Sequence, residues 1–370
     1  MVGVGMSSAR AVRLVRVLAW ALASLLPCAC APELSRPRVD RVEFGATLWS
    51  EGQRQAGVLF QDGGQAVPVE GGTLWLFGDT FLGDASADGP HRSDIAGSLG
   101  ATVAFLPAGS VDLPPRLEYF AHADGRAADP LSLLPGESPD RHRLWPAGGV
   151  AVGARTYLYY SVIEKTGETG PWNFRGLGGG LAVSNGPMDS FARLQPGGDW
   201  RFPVEPIQVV READTLYLLE VSSDPKGLIL GRVAADRIEE PSAYEFLTEG
   251  GWSASRAGVK VILREAYGQV SAAWIPAKGR YLLATSSDFF HPLEIQLREA
   301  RSLWGPWSEP CRIAVPDLPG KTTNLLYGTF LHPELGPGGP EPRLVATFCR
   351  VLAGDWEFTN PEWVMITLGR

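Results

Sequence analysis

Asp62 and Asp79 are the two residues of this chain best placed to do chemistry together. They stand near the ends of the stretch 61–83, QDGGQAVPVEGGTLWLFGDTFLG. Asp62 opens it beside Gly63 and Gly64, and Asp79 closes it behind Leu74-Trp75-Leu76-Phe77-Gly78. Two β-prone runs, 66–69 and 74–77, joined at Gly71-Gly72, read as a hairpin. The start of one strand and the finish of its partner lie at the same end of an antiparallel pair. The spacing therefore predicts two carboxyl groups facing one pocket. Such a pair suits general acid/base work, one group holding a proton while the other is ionised. A solvated aspartate at each turn end would leave the same pattern.

A weak repeat supplies the elements that would position these acids. The β-prone runs 74–77, 157–160, 216–219, 281–284 and 344–348 each follow a short turn. Before four of them lies another β-like stretch (66–69, 148–152, 207–210 and 270–275), and 327–331 fills that place in the fifth. Further strands follow at 95–106, 180–184, 227–233 and 293–300. Several short strands per unit, repeated five times, predict an all-β fold, a five-bladed β-propeller. Units of roughly 65 residues exceed the ~40–50 of compact propeller repeats, so long loops are expected. No amphipathic helix of several turns stands out beyond the N-terminal leader.

In a propeller the first strand of each blade lines the central channel. That places Asp62 in blade one, Trp145 at the opening of blade two, Glu205 at three, Gln269 at four, and Tyr327 with His332 in blade five. Carboxylates, an indole, an amide, a phenol and an imidazole around one channel suit a sugar, with its hydroxyls and its C–H face. Trp145, Gln269, Tyr327 and His332 are the expected substrate-binding groups. Blade packing for Trp145, a structural role for His332 and a strand end for Glu205 are the plainer alternatives. Arg298-Glu299 reads as a solvated outer strand edge.

Composition agrees with a folded, turn-rich chain: 370 residues, 45% hydrophobic and 20% charged, with 44 Gly, 30 Pro and 12 Trp. The net charge of −8 becomes −11 without the three leader arginines Arg10, Arg13 and Arg16. With no Lys/Arg block, nucleic acid is not an expected partner. A neutral polymer is compatible with this balance. Residues 1–30 read as an export signal: the three arginines, the apolar run 17–26, then Cys28-Ala29-Cys30-Ala31. The apolar run is short for a membrane span. Cys28 and Cys30 are candidate lipidation sites of a bacterial lipoprotein, although Pro27 is unusual at such a junction. Residues 31–40 read as a linker and 41–370 as the propeller. The expected location is the cell envelope or the exterior, with membrane contact only through a lipid anchor. Cys311 and Cys349 are free to pair in an oxidising compartment. No Cys/His cluster has zinc-ligand spacing. No cofactor is expected; a channel calcium ion would need several oxygen ligands, and no set of them stands out. A closed propeller leaves little strand edge, so a monomer is expected.

The run from Val67-Pro68-Val69 through Trp75-Leu76-Phe77-Gly78-Asp79-Thr80 resembles the opening of the family catalogued as domain of unknown function 4185. Trp145-Pro146-Ala147-Gly148-Gly149-Val150 and Gly170-Pro171-Trp172-Asn173-Phe174-Arg175-Gly176 resemble its second blade. Residues 327–334, Tyr-Gly-Thr-Phe-Leu-His-Pro-Glu, resemble its last. The segment 300–310 is common to five-bladed glycosidase-like propellers in general. The resemblance spans nearly everything after residue 40. It implies a five-bladed propeller and, since the family includes endo-D-arabinanases grouped as glycoside hydrolase family 183, a hydrolase acting on a furanosyl polysaccharide. It also implies that Asp62 and Asp79 are the acidic pair; here Asp62 is followed by Gly63, where the family pattern leads one to expect an apolar residue. Glu205 is the reserve acid, since related propeller glycosidases place one on blade three. The implied mechanism uses two carboxyl groups, about 5–5.5 Å apart for retention or about 6.5–9.5 Å for inversion. Asp62, in a polar funnel, is expected to stay ionised as base or nucleophile. Asp79, between Phe77 and Phe81, is the expected proton holder, and the opposite assignment stays open. A non-catalytic glycan-binding surface protein is the competing class. A sialidase-type hydrolase ranks last, because the expected inner strands carry no arginine for a substrate carboxylate.

Overall fold

Apolar runs broken by glycine and proline turns form five antiparallel sheets of four or five strands. The computed structural model describes residues 34–110, 112–170, 173–287, 292–336, 342–353, 357–358 and 360–369. The expected leader with Cys28 and Cys30, and Trp172, lie outside these residues. The five inner strands are Val58–Val69, His142–Val152, Gln208–Glu212, Tyr267–Ile275 and Thr323–His332. Each pairs with the next strand in sequence through a short hairpin: Gly72–Gly83, Arg155–Lys165, Thr215–Ser223, Arg280–Ser286 and Arg343–Leu352. The protein is a five-bladed β-propeller. The five β-prone runs that follow turns are the second strands of its blades.

Alternation of side chains explains why both faces of these strands are apolar. In Thr215–Ser223, Leu216 and Leu218 pack with Val150, Tyr157 and Tyr159 of blade two. Leu219 and its face-mates Tyr217 and Val221 pack with Ala272 and Leu283 of blade four. Leu216, Leu218 and Leu219 are wholly buried, each stabilising the fold by roughly 1.5–3 kcal/mol.

The ring is closed by the N-terminal strand Val39–Thr47, which pairs antiparallel with Glu362–Leu368 and becomes the outer strand of blade five. Sequence reading placed the propeller boundary at residue 41 and saw no strand here. Side-chain amides tie the inner strands together. Gln65 donates to the carbonyl of Ile207 at 2.5 Å, and Gln208 bonds both the N–H and the carbonyl of Ala272.

One expectation fails inside the blades, and one question left open by the sequence is answered. Arg298 and Glu299 are buried rather than solvated. Arg298 pairs with Glu265 at 2.7 Å, and Glu299 with Lys278 at 2.8 Å and Arg280 at 2.9 Å. Burial is tolerated because each charge has a partner. Cys311 and Cys349 are both free thiols.

Candidate active site

The two acids meet at a β-bulge, not at the ends of short strands. The paired strands Val58–Val69 and Gly72–Gly83 run through both positions. Gln61 faces Thr80 and Gly63 faces Phe77, so Asp62 alone stands opposite Gly78 and Asp79. One register step later the excess reverses: Gly63 faces Phe77 and Gln65 faces Leu76, leaving Gly64 over. The bulge needs left-handed backbone, and Gly63 and Gly64 supply it at φ +90° and +104°. The glycines after Asp62 therefore aim the acid instead of ending a strand.

Gly78 completes the seat. The Asp62 carboxyl accepts from the backbone N–H groups of Gly78 and Asp79. A Cβ at position 78 would lie 2.3 Å from Asp62 Oδ1, so only glycine permits this approach. Thr80 Oγ1 donates to the Gly78 carbonyl at 2.9 Å and lies 2.9 Å from Thr102 Oγ1, which holds the bulge in place. Tyr327, from blade five, donates its hydroxyl to Asp62 Oδ2 at 3.3 Å. Across the strand pair, Trp145 of blade two donates Nε1–H to Asp79 Oδ1 at 3.0 Å. Its ring meets Phe174 edge-on at 5.1 Å.

Both acids keep part of their surface in contact with solvent, yet the surrounding protein raises both titrations. Asp62 is pushed up to about 8, first by burial and then by the charge of Asp79; Tyr327 and the two N–H groups oppose the rise. Asp79 is also raised by burial, against the Trp145 bond and the cations Arg143 and Lys165. Those cations act on Asp79 and not on Asp62, which favours the anion on Asp79 and the shared proton on Asp62. Of the two assignments the sequence leaves open, this favours the proton on Asp62. Both acids are desolvated, and the difference lies in their partners: Trp145, Arg143 and Lys165 act on Asp79, while Phe77 packs inside the blade against Trp75 and Tyr119.

The other candidates divide. Gln269 accepts from Gly328 N–H through Oε1 at 3.2 Å, at the residue next to Tyr327, while its Nε2 has no partner among the described residues. Glu205 stands one step from Trp145. Ser161, directly opposite Trp145 in the sheet, donates to Glu205 Oε2 at 3.4 Å. Burial, then the charge of Glu220, raises the Glu205 titration, although the residue as a whole is exposed. His332 does not reach the site. It is wholly buried at the far end of its strand, stacked on Trp75 at 4.2 Å. Its nitrogens are engaged by Glu334 and Thr347, both at 2.8 Å.

Three groups near the acids escaped sequence reading. Cys349 Sγ accepts from Gly63 N–H at 3.3 Å, and burial together with the Asp62 charge pushes its thiol far up. Asp129, in the loop ahead of blade two, is raised to about 6 by burial. It accepts from Leu131 N–H at 3.0 Å and feels the same Arg143 that acts on Asp79. Arg143 itself lies on an inner strand, contrary to the expectation that these carry no arginine; that expectation began blade two at residue 145. Among the described residues no group of three or more His, Cys, Asp or Glu side chains is arranged to hold a metal ion.

The fold and site together define a five-bladed β-propeller with a coupled carboxyl pair at a bulge of its first inner strand. Residues 53–348 match the model of the family described as domain of unknown function DUF4185, and the chain belongs to that family. Among solved structures it is similar to a candidate hydrolase from Bacteroides ovatus, at 15% identity, 85% coverage of this chain, 87% of that chain and a TM-score of 0.61. It is also similar to a GH43_1 enzyme from Xanthomonas citri complexed with xylotriose (14%, 88% and 90%, 0.49). An α-L-arabinofuranosidase from Podospora anserina in complex with cellotriose gives 11%, 90% and 98%, and 0.47. At these identities the likeness concerns the fold. No curated protein matches the sequence.

Proposed function

We propose that this protein is an exported glycoside hydrolase that cleaves a furanosyl, arabinan-like polysaccharide with two carboxyl groups. The observation that carries the reading is the Asp62–Asp79 pair set together at the bulge, Asp62 held by Tyr327 and Asp79 by Trp145. Two acids whose environments drive their titrations apart are the working parts of glycoside hydrolysis. Asp62, protonated near pH 7, donates to the leaving glycosidic oxygen. Asp79, ionised and held by Trp145, activates water or attacks the anomeric carbon. Trp145 and Phe174 offer aromatic surface to a sugar's C–H face. The open Nε2 of Gln269 and the carboxyl of Glu205 offer hydrogen bonds to hydroxyls. The arabinanase members of the family support the furanosyl polymer, and the basic-then-apolar leader supports export to the cell envelope.

The test is release of reducing ends from arabinan, galactan and xylan by the wild type, Asp62→Asn and Asp79→Asn. Turnover on one polymer, reduced at least about 10²-fold in each variant, is the expected result. Full wild-type turnover by Asp62→Asn would remove the proposal. Binding without turnover by the wild type would leave a glycan-binding propeller.

A further inference from the structure

Each inner strand runs from one face of the propeller to the other. In blade four Gln269 stands near the start of Tyr267–Ile275, beside the acid-pair face. Trp274 stands near its finish, roughly 16 Å away along extended backbone. At that far face lies a second cluster with no part in the chemistry above. Trp274 meets Tyr281 edge-on at 5.0 Å, and the Tyr281 hydroxyl donates to Glu212. Tyr217 lies between Trp252, at 6.0 Å, and Trp304, at 6.1 Å. The guanidinium of Arg232 covers Trp252 at 4.3 Å and pairs with Glu245 at 2.7 Å. Tyr217, Trp252 and Tyr281 all pack on the apolar cluster shared by blades three and four, so the rings line the cleft between those blades. Arg232 and Glu245 also line an adjoining cavity of about 380 Å³, with Thr215, Arg237 and Ser242.

Trp274 and Trp304 are each 46% exposed, more than any other large apolar side chain among the described residues. Leaving such rings half wet forgoes part of their hydrophobic burial, and exposed aromatic surface of this kind marks an interaction site. The chemistry of the cleft selects the occupant. The Arg232–Glu245 pair cancels its own charge, so an ionic ligand gains little there. What remains is aromatic faces alternating with hydrogen-bonding groups at a spacing on the scale of one sugar residue. The adjoining cavity falls within the roughly 300–1,000 Å³ range of small-ligand sites.

We propose that this cleft is a second, non-catalytic binding site for a neutral polysaccharide chain, with Trp304, Tyr217 and Trp252 as the stacking shelf, Trp274 extending it, and the Arg232–Glu245 cavity receiving one residue of the chain. It stands whether or not Asp62 and Asp79 hydrolyse anything.

The test is mobility in native gels cast with arabinan, galactan or xylan, for the wild type, Trp304→Ala, Trp274→Ala, Trp304→Phe and Asp62→Asn, each with its melting temperature recorded. The wild type and Asp62→Asn should be retarded equally by one of these polymers. Trp304→Ala should lose at least about fivefold in apparent affinity, about 1 kcal/mol, with its melting temperature unchanged. Trp304→Phe, which keeps a ring, should retain most of the retardation. Retardation of Trp304→Ala and Trp274→Ala equal to wild type overturns the proposal, as does its loss in Asp62→Asn alone. Absence of retardation in all three gels also overturns it and leaves the cleft as a protein contact.

Discussion

Replacing Asp62 by asparagine should make the folded protein more stable at neutral and alkaline pH while removing its chemistry. The folded protein holds the Asp62 proton until about pH 8, whereas an unfolded chain releases it near the ordinary 3.8. Below 3.8 both states are protonated, so Asp62 brings no pH-dependent penalty. As pH rises from 3.8 to about 8 the unfolded state binds fewer protons than the folded one, and wild-type stability falls relative to the variant. Above about 8 the gap is constant. At about 1.4 kcal/mol per pH unit the whole interval amounts to about 6 kcal/mol. That is an upper bound, because the carboxyl keeps some contact with solvent and shares its titration with Asp79. Asparagine also keeps an acceptor for Tyr327 and for the N–H groups of Gly78 and Asp79. A gain of about 1–3 kcal/mol at pH 8, shrinking to near zero at pH 4, is the expected outcome. Urea unfolding at pH 4, 6 and 8, with unchanged m, measures it. A variant less stable than wild type at pH 8, or a gap independent of pH, would refute the reasoning about burial at this bulge.

Three further substitutions probe the same arrangement. Gly78→Ala drives a methyl into Asp62 Oδ1 and should cost turnover about 10²-fold by misplacing the acid; initial rates on the responsive polymer report it. Trp145→Phe keeps a ring against Phe174 but deletes the donor that lowers the Asp79 titration. The acidic limb of the rate–pH profile should therefore move to higher pH, with turnover down about 10-fold; a profile shifted to lower pH would contradict the role given to the indole. His332→Gln breaks the stack on Trp75 and at least one buried hydrogen bond. It should destabilise the protein by about 2–4 kcal/mol and leave kcat and KM of the remaining folded enzyme unchanged.

Much of this molecule was legible in its sequence because a propeller repeats a local signal. Each second strand follows a tight turn and is apolar on both faces, so 74–77, 157–160, 216–219, 281–284 and 344–348 announce themselves. Residues in the first half of the inner strands then fall near one face of the channel, which is why Asp62, Trp145, Gln269 and Tyr327 come together. The missed features depend on partners far along the chain. His332 looks like a site residue until Thr347 and Trp75 take its environment. Arg298 and Glu299 look solvated until Glu265, Lys278 and Arg280 surround them. The closing strand at Val39 has no nearby hairpin partner, since it pairs with residues at the other end of the chain. The bulge was hidden for a different reason: Asp-Gly-Gly reads locally as the end of a strand, and only the register against Phe77 and Thr80 shows that the strand continues.

The unequal behaviour of the two acids follows from the closure of the ring. They sit on adjacent strands of one blade and share one desolvated pocket, and within blade one the Gly78 and Asp79 N–H groups favour the Asp62 anion. The opposing distinction comes from the blades on either side. Blade two presents Trp145, Arg143 and Lys165 to Asp79, an N–H donor and two positive charges that favour its anion. Blade five presents Tyr327 to Asp62 and the neutral thiol of Cys349 to Gly63, one hydroxyl and no cation. Blade five is held in that position in part by Val39–Thr47, which joins Glu362–Leu368 and brings the end of the chain back beside its beginning. The closing strand thus contributes to the site without touching it. By fixing a cation-free neighbour against Asp62, it leaves the desolvation of that carboxyl opposed by hydrogen bonds alone, which favours the proton there.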